Sequence, residues 1–252
     1  KKRFNKIILI TRSKKNFIPL SLKKSYEILQ IKMDISKAKK IPFSDYVIYC
    51  AISKNYTQDN LAVKNYYQLA KKYHVGSSIV YTSSGAVYGK QSKNILKIND
   101  FQKTNLKKYT SALKQKYALL KIKNEQIFKK LTNHKIKVSV ARCFTFVGKH
   151  LPLESNFVIG NFIKSILDKE DIIVKSKMKV FRSYMHADDL AECLLKLVLK
   201  NSFNYETYNI GSENAVNIHT VAQLLGKKYN LKHVKSKKKI ANKYDRYIPN
   251  IN

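Results

Sequence analysis

Glycine is scarce in this sequence. The 252 residues include only seven glycines, and the first of them is Gly76. Cysteine is scarce as well, because Cys50, Cys143 and Cys193 are the only three and stand far apart. Cysteines with this spacing offer no metal-ligand pattern, and an odd number suits no disulfide framework. We therefore predict no metal site and no disulfide, and expect each cysteine to be a small apolar residue of the core.

Long apolar runs are also absent. A helix that crosses a bilayer needs about 20 apolar residues, whereas the apolar run Ile7–Ile10 is only four residues long and is flanked by polar side chains. This run instead predicts a buried strand over Lys6–Thr11. No signal-peptide pattern is visible at the start. The expectation is a cytoplasmic protein without a membrane partner.

Acidic residues are few: the chain has 16 aspartates and glutamates against 50 lysines and arginines, which gives a formal net charge of +34. Such a charge suits a nucleic acid or an anionic membrane, but it also suits a general bias towards lysine. Only five of the basic residues are arginines, the residue that phosphate recognition favours. The lysines are widely spread, with one dense run at Lys235–Lys239. The sequence therefore argues against nucleic acid as the main partner, while a basic surface would still attract an anionic nucleotide.

Short runs rich in β-branched residues alternate with longer stretches of helical spacing in the first 150 residues. Strands are predicted at Lys6–Thr11, Tyr26–Ile31, Asp45–Cys50, Ser77–Ser84 and Lys137–Cys143. Helices are predicted at Asp59–Tyr73 and Lys108–Leu131. This alternation predicts an α/β fold, a Rossmann-like doubly wound parallel sheet with crossover helices. The active site of such a sheet lies at the carboxyl ends of its strands.

The pattern changes after Gly148. Helices are predicted at Phe157–Leu167, Asp188–Lys200 and His219–Tyr229, and short strands at Asp171–Val174, Val180–Tyr184 and Tyr208–Ile210. No clear helix is predicted in the lysine-rich tail from Lys235 to Asn252. We expect a dinucleotide-binding domain over 1–150 and a small α/β lobe over 151–252 that mainly binds substrate, with the segment 181–211 returning to the first domain.

Two short motifs carry possible chemistry. Thr82–Gly89 follows a predicted strand, so the Ser84 hydroxyl would lie at its carboxyl end. Tyr117 precedes Lys121 by four residues, which places the phenol and the ammonium on one face of a helix. A nearby ammonium favours phenolate and would lower the tyrosine pKa from about 10. With 17 tyrosines in the chain, however, such a pair taken alone is more often part of a solvated helix face.

The order of these motifs along the chain is more specific than either motif alone. Five segments contribute to it: Tyr81–Gly89, Tyr117–Phe128, Ala141–Gly148, Phe181–Leu190 and Tyr208–Gly211. In this order they resemble the extended short-chain dehydrogenase/reductase family, the NAD(P)-dependent epimerases and dehydratases of sugar nucleotides. The resemblance covers nearly the whole chain. It implies Tyr117 as the catalytic acid or base, Lys121 as the ligand of the nicotinamide ribose, and Ser84 as the partner of the reacting sugar oxygen.

The resemblance also implies a site for NAD or NADP. Its adenosine half would contact Arg12, Asp34, Ile35 and Ala51, and its nicotinamide half Phe144 and Val147 together with Tyr117 and Lys121. An arginine at position 12 suits a 2′-phosphate and hints at NADP. A solvated turn residue is an equally good interpretation of Arg12.

The implied substrate is a nucleotide-diphosphate sugar, and the implied pathway makes polysaccharide or lipopolysaccharide. Asn161 and Arg182 match positions that contact the diphosphate, for which an arginine fork has the right geometry. The alternative for Arg182 is a structural salt bridge to Asp188 or Asp189. Family members often pair through their long helices, so the resemblance also implies a homodimer.

One family feature is missing. The glycine-rich loop that binds the pyrophosphate follows the family's first strand, but no such loop precedes Gly76 here. By motif order, Lys6–Thr11 corresponds to the family's second strand, so we expect an N-terminally truncated member. The segment Arg246–Pro249 likewise resembles one that precedes a further helix. A chain without the loop is expected to bind dinucleotide weakly.

The residues after Ser84 narrow the reaction. The family's 4,6-dehydratases carry an Asp-Glu pair there and its decarboxylases a Glu, whereas this sequence has Gly85 and Ala86, which cannot transfer a proton. A C4 epimerase or a 4-keto-sugar reductase needs only the hydroxyl, the tyrosine and the lysine, and is the favoured prediction. Two alternatives remain open: a non-catalytic member of the family that has lost cofactor binding, and a basic nucleic-acid-binding module.

Overall fold

The computed structural model of the chain describes residues 4–15, 18, 27–53, 55–90, 93–101, 106–107, 111–153, 157–176, 178–235 and 241–251. The strands are β1 Lys6–Thr11, β2 Glu27–Lys32, β3 Tyr46–Tyr49, β4 Ser78–Ser84, β5 Lys137–Cys143, β6 Phe146–Val147, β7 Ile172–Val174, β8 Met178–Arg182, β9 Met185–His186, β10 Glu206–Ile210, β11 Val216–Asn217, β12 His233–Lys235 and β13 Ala241–Tyr247. The α-helices are α1 Tyr56–Tyr73, α2 Ala112–Lys129, α3 Val158–Leu167, α4 Ala187–Lys200 and α5 Ile218–Tyr229.

The central sheet has four strands in the order β10-β5-β4-β3, and all of its pairs are parallel. The first four residues of β4 are fully buried, as expected for a parallel strand that is covered on both faces. Because the strands run the same way, their carboxyl ends meet at one edge of the sheet. Ser84 and Cys143 lie next to each other at that edge. The predicted parallel α/β sheet is therefore confirmed.

Strands β1 and β2 form a separate parallel pair. The prediction of a strand over Lys6–Thr11 is confirmed, but the prediction that it is buried is wrong, because Ile7 is 41% and Leu9 36% exposed. Within the part of the chain that the structure describes, β1 has a ladder partner on one side only. Its apolar residues are thus partly uncovered, whereas parallel sheets normally bury both faces.

Helices α1 and α2 pack together on one face of the central sheet. Helix α1 begins earlier than its spacing predicted because Asn55 caps it, its side chain accepting hydrogen bonds from the backbone of Thr57 and Gln58. An aromatic layer joins helix and sheet: Tyr81 of β4 stacks on Phe128 of α2 with ring centroids 4.4 Å apart. This packing holds α2 in a defined position against β4.

A smaller group of elements follows the central sheet. Strand β8 lies between antiparallel β11 and parallel β13, and β7 pairs with β12. Strands β7 and β8 and helices α3 and α5 share an apolar cluster, which is formed by Phe162, Ile172, Val174, Val180, Ile218 and Ala222. Strand β13 lies in the tail where no element was predicted. It forms because β8 offers an edge for it, which local sequence does not reveal.

The cysteines differ from their prediction as core residues. Cys50 is exposed, and Cys143 and Cys193 are only half-buried. In the described ranges no group of three potential ligands is placed to hold a metal ion, and none of the helices there is long and apolar enough to span a membrane.

Candidate active site

Ser84 ends β4 at the carboxyl edge of the central sheet. Its hydroxyl caps the following 3-10 turn by accepting a hydrogen bond of 3.2 Å from the Ala86 backbone. The same hydroxyl lies 3.5 Å from the Tyr247 phenol oxygen, which reaches in from β13. Ser84 is half-buried, and the strand and the turn together hold it at the carboxyl edge of the sheet.

Tyr117 projects from the first half of α2 towards Ser84. The Ser84 hydroxyl interacts with the Tyr117 phenol and lowers its pKa, but burial has the larger effect and raises that pKa above its ordinary value. The prediction that Lys121 lowers the pKa of Tyr117 is therefore wrong for this structure. Sequence spacing gives the proximity of two groups but not the cost of burying a charge.

Lys121 lies beneath Tyr117, and only 5% of it is exposed. Its ammonium donates a hydrogen bond of 2.9 Å to the Thr82 carbonyl and sits 5.9 Å from the centre of the Tyr117 ring. Burial lowers the pKa of Lys121, and the Asp59 carboxylate is the strongest of the groups that oppose this effect. Ser84, Tyr117 and Lys121 therefore lie close together near the carboxyl end of β4, as predicted.

Asp59 of α1 was not singled out from the sequence. It is only 4% exposed, and its carboxylate accepts hydrogen bonds from the Ser53 backbone at 2.8 Å and from the Asn124 amide at 3.1 Å. No sequence motif marks this position, because its importance comes from the packing of α1 against α2. It adds a buried negative charge near Lys121.

A cavity of about 330 Å³ opens at the ends of β1, β2 and β3. All four residues predicted for the adenosine half line it, namely Arg12, Asp34, Ile35 and Ala51. The Asp34 carboxylate accepts hydrogen bonds from the hydroxyl and the backbone of Ser36, and the hydroxyl contributes most to holding its pKa below the ordinary value. An ionised carboxylate beside apolar walls is suited to the hydroxyls and base of a nucleoside.

This cavity fits a nucleoside better than a pyrophosphate. Among the described residues, its walls include no glycine. A pyrophosphate needs to come close to backbone N–H groups, and the residues of this lining all carry side chains that limit such an approach. Asp59 lies on the same wall. The described groups that line this cavity are therefore better suited to an adenosine than to a pyrophosphate.

A second cavity, of about 400 Å³, is lined by Tyr117. Three predicted residues line it: Tyr117, Val147 and Arg182. Its basic lining comprises Lys90, Lys114, Arg182 and Arg246, and its one described acidic residue is Asp245. An excess of cations suits a diphosphate. Lys90, Lys114, Arg246 and Tyr247 were missed from the sequence as site residues, although the Arg246–Pro249 pattern had been noted.

Arg182 makes a salt bridge, but not the one considered from the sequence. Its guanidinium donates a 2.7 Å hydrogen bond to the Asp245 carboxylate on the neighbouring strand β13. Asp188, one of the two partners considered, is 92% exposed and lies against His186 instead. The correct partner could not be foreseen because β13 itself was not predicted.

Four predicted residues line neither of these two cavities: Ser84, Lys121, Asn161 and Phe144. Asn161 is exposed on α3 and does not line the second cavity. Phe144 is only 5% exposed and packs against the Tyr247 ring, with centroids 4.6 Å apart, and it lines neither of the two cavities described above. Phe144 also explains Gly85: a Cβ atom there would lie 2.6 Å from the Phe144 ring and 2.6 Å from the Tyr247 oxygen.

A serine, a tyrosine and a lysine thus meet near the carboxyl end of β4 in a parallel α/β sheet. This arrangement is typical of the dinucleotide-binding Rossmann class. The model of the NAD dependent epimerase/dehydratase family matches residues 22–211, which is more than half of the chain. The chain therefore belongs to this family. The resemblance drawn from the motifs is confirmed.

The similarity to individual proteins is more distant. A UDP-N-acetyl-alpha-D-glucosaminuronate decarboxylase of Bacillus cytotoxicus is 28% identical over 148 residues, which are 58% of this chain and 44% of that protein. The chain spans about half the length or less of the curated relatives it matches.

Solved structures share the fold. The UDP-glucose 4-epimerase of Thermotoga maritima, determined with UDP-glucose, has a TM-score of 0.74 at 15% identity, covering 98% of this chain and 90% of that one. The dTDP-glucose 4,6-dehydratase of Streptomyces venezuelae, determined as a double mutant with NAD bound, has a TM-score of 0.75 at 16% identity, covering 98% and 79%. At these identities the likeness establishes the fold.

Proposed function

We propose that this chain carries the catalytic centre of an NAD(P)-dependent enzyme acting on a nucleotide-diphosphate sugar, either a C4 epimerase or a 4-keto-sugar reductase. One observation carries the proposal: Tyr117 lies beside Ser84 and lines a basic cavity, while Lys121 lies buried behind it. Membership of the family and the sugar nucleotides bound in related structures support this substrate class.

The residues have separate tasks in this reaction. Ser84 holds the C4 oxygen of the sugar by a hydrogen bond. Tyr117 exchanges a proton with that oxygen, and its raised pKa keeps it a neutral phenol, which is the form that can donate. Lys121 would hold a ribose hydroxyl of the cofactor, and Arg182, which lines the basic cavity, would hold the diphosphate of the substrate. A bound nicotinamide supplies the hydride exchange at C4.

The first cavity supports the nicotinamide cofactor. Its residues Asp34, Ile35 and Ala51 would hold the adenosine, and Arg12, which lines the same cavity, would contact a 2′-phosphate. The NAD bound in the related dehydratase structure favours the same cofactor class. Arg12 favours NADP over NAD.

Gly85 argues against the family's other reactions. Dehydratases and decarboxylases of the family carry an acid directly after the catalytic hydroxyl. Here a side chain at Gly85 would collide with Phe144 and Tyr247, so no acidic side chain fits without repacking. The likeness to a decarboxylase therefore does not extend to its chemistry at this position.

The proposal predicts a large effect of Tyr117→Phe. The change removes the proton carrier and leaves the ring, so turnover of UDP-glucose, UDP-N-acetylglucosamine or dTDP-glucose with NAD⁺ or NADP⁺ should fall by about 100-fold or more. Tyr56→Phe is the matched control, because the Tyr56 ring lies 6.4 Å from that of Tyr117 and its loss should change turnover little. Equal rates for Tyr117→Phe and the wild type would refute the assignment.

A second candidate is a family member that has lost catalysis. The absence of glycine from the described walls of the nucleoside cavity favours it. Titration of the purified chain with NADH and NADPH, followed by nicotinamide fluorescence, separates the two candidates. Weak binding together with no turnover supports the non-catalytic candidate, and micromolar binding rejects it.

A further inference from the structure

Glu125 and Arg142 form a buried ion pair behind the site. Two hydrogen bonds join them, from Arg142 Nη2 to Glu125 Oε2 at 2.9 Å and from Arg142 Nε to Glu125 Oε1 at 3.1 Å. Only 8% of each side chain is exposed. Glu125 follows Lys121 by one turn of α2, and Arg142 lies on β5. The pair therefore ties the helix that carries Tyr117 and Lys121 to the central sheet.

Each end of the pair is connected further. Ser83 donates a hydrogen bond of 2.5 Å to Glu125 Oε1, and Ser83 immediately precedes Ser84. On the other side, Arg142 Nη1 donates to the Tyr88 hydroxyl at 3.1 Å, and that hydroxyl donates to Asn209 at 2.6 Å. The network thus joins β4, β5, β10 and α2 at the point where their functional residues emerge.

A buried ion pair is weak evidence for stability, because removing two charges from water costs about as much as their attraction returns. An apolar pair of the same volume would often serve the fold as well. What the ion pair adds is direction, since a bidentate guanidinium–carboxylate contact fixes both partners within a few tenths of an ångström. Because Ser83 is hydrogen-bonded to Glu125, its position is fixed by the pair, and this restrains the adjacent residue Ser84.

We propose that Glu125 and Arg142, acting through Ser83, position the Ser84 hydroxyl against Tyr117. Ser83, Glu125 and Arg142 are positioning residues in this account, and none of them contacts the substrate. The inference rests on the proposed function, because it assigns the network to the reacting pair Ser84 and Tyr117.

The test replaces a single buried hydroxyl. Ser83→Ala removes the link to Glu125, and Ser78→Ala is its matched control. Ser78 lies on the same strand, is 6% exposed where Ser83 is 5%, and donates a 2.5 Å hydrogen bond to the Val198 carbonyl, away from the site. Both variants lose one buried hydrogen bond, so both should lose stability. The loss should be larger for Ser83→Ala, because its partner is a carboxylate.

Catalysis should separate the two variants. For Ser83→Ala we expect kcat to fall roughly tenfold with KM nearly unchanged, because a misplaced reacting group costs rate rather than binding. Ser78→Ala should keep the kcat of the wild type. Equal kcat values for the two variants would contradict the inference.

A second readout needs no turnover. The ¹³Cζ resonance of Tyr117, assigned with Tyr117→Phe, is followed as pH rises above the ordinary tyrosine value of about 10, since burial raises the pKa of Tyr117. Ser84 lowers the pKa of Tyr117, so Ser83→Ala should raise that pKa while Ser78→Ala leaves it in place. The other groups that affect this phenol, Cys143, Tyr56 and Asp59, are the same in both variants.

The two readouts keep the proposals apart. If the wild type converts no sugar nucleotide, the proposed function fails, and the titration of Tyr117 still decides whether the network positions Ser84. If the pKa of Tyr117 is the same in Ser83→Ala as in the wild type, the inference is rejected, whatever the activity of the variant. Should Ser83→Ala not fold, Ser83→Cys is measured in the same way, because a thiol fills a similar space and is only a weak donor.

Discussion

At the scale of single residues, the sequence predicted which side chains meet but not how their environment changes them. Ser84, Tyr117 and Lys121 lie together as their motifs indicated. The predicted direction of the pKa shift of Tyr117 was wrong, because the effect of burial on this pKa is larger than the effect of any neighbouring group. Asp59 was not found at all, since its effect on Lys121 comes from two helices that pack side by side.

Asp59→Asn tests that unforeseen contribution. The Asp59 carboxylate raises the pKa of Lys121 against the effect of burial, so its neutralisation should lower that pKa further. Acetylation of Lys121, followed by mass spectrometry across pH, should begin at lower pH in Asp59→Asn than in the wild type. Asp188→Asn, at a carboxylate that is 92% exposed, is the control. An unshifted acetylation profile would remove Asp59 from the account.

At the scale of helices and strands, the elements with a strong periodic pattern were predictable. Strands β1 and β5 have the predicted bounds, and the helices differ mainly at their first turns. Strand β13 was missed because it depends on pairing with β8. The exposure of β1 was missed as well, since an apolar run alone does not reveal whether a neighbouring strand covers it.

Helix α1 ends in a pH-sensitive contact. His74 Nε2 lies 3.0 Å from the Pro42 carbonyl and therefore donates to it, so Nδ1 accepts from the Tyr66 hydroxyl, also at 3.0 Å. Burial lowers the pKa of His74 below its ordinary value of 6.5. Since the unfolded chain then takes up a proton more readily than the folded one, the stabilisation is full above 6.5 and is lost as pH falls towards the folded pKa.

Urea unfolding measured between neutral and mildly acidic pH tests this contact. His74→Gln should be less stable than the wild type at neutral pH and should lose less stability on acidification. His186→Gln, at a side chain that is 56% exposed, should keep the pH dependence of the wild type. A wild-type slope in His74→Gln would show that other groups carry the effect.

At the scale of the whole molecule, the charge of +34 has a local consequence. Most of the basic residues are lysines spread along the chain, but Lys90, Lys114, Arg182 and Arg246 all line the cavity beside Tyr117. Composition gave the sign of the charge, and only the fold shows where it concentrates. The same holds for the two cavities, whose walls come from segments far apart in the chain.

Arg246→Gln tests this concentration of charge. Loss of one cation from the cavity should weaken the binding of UDP-glucose about tenfold, which corresponds to about 1.4 kcal/mol and is typical of one charged hydrogen bond. Lys227→Gln on α5, outside the residues that line the cavity, should leave the affinity unchanged. Calorimetric titration at moderate salt measures both. Equal losses in the two variants would point to a general effect of net charge.

The most direct test of the whole account is a crystal structure of this chain with UDP-glucose bound. The account predicts the sugar at Tyr117, with its C4 oxygen about 2.6–3.2 Å from both the Ser84 hydroxyl and the Tyr117 phenol, and its diphosphate against Arg182. A sugar bound away from Ser84 and Tyr117, or turned so that its diphosphate faces them, would contradict it.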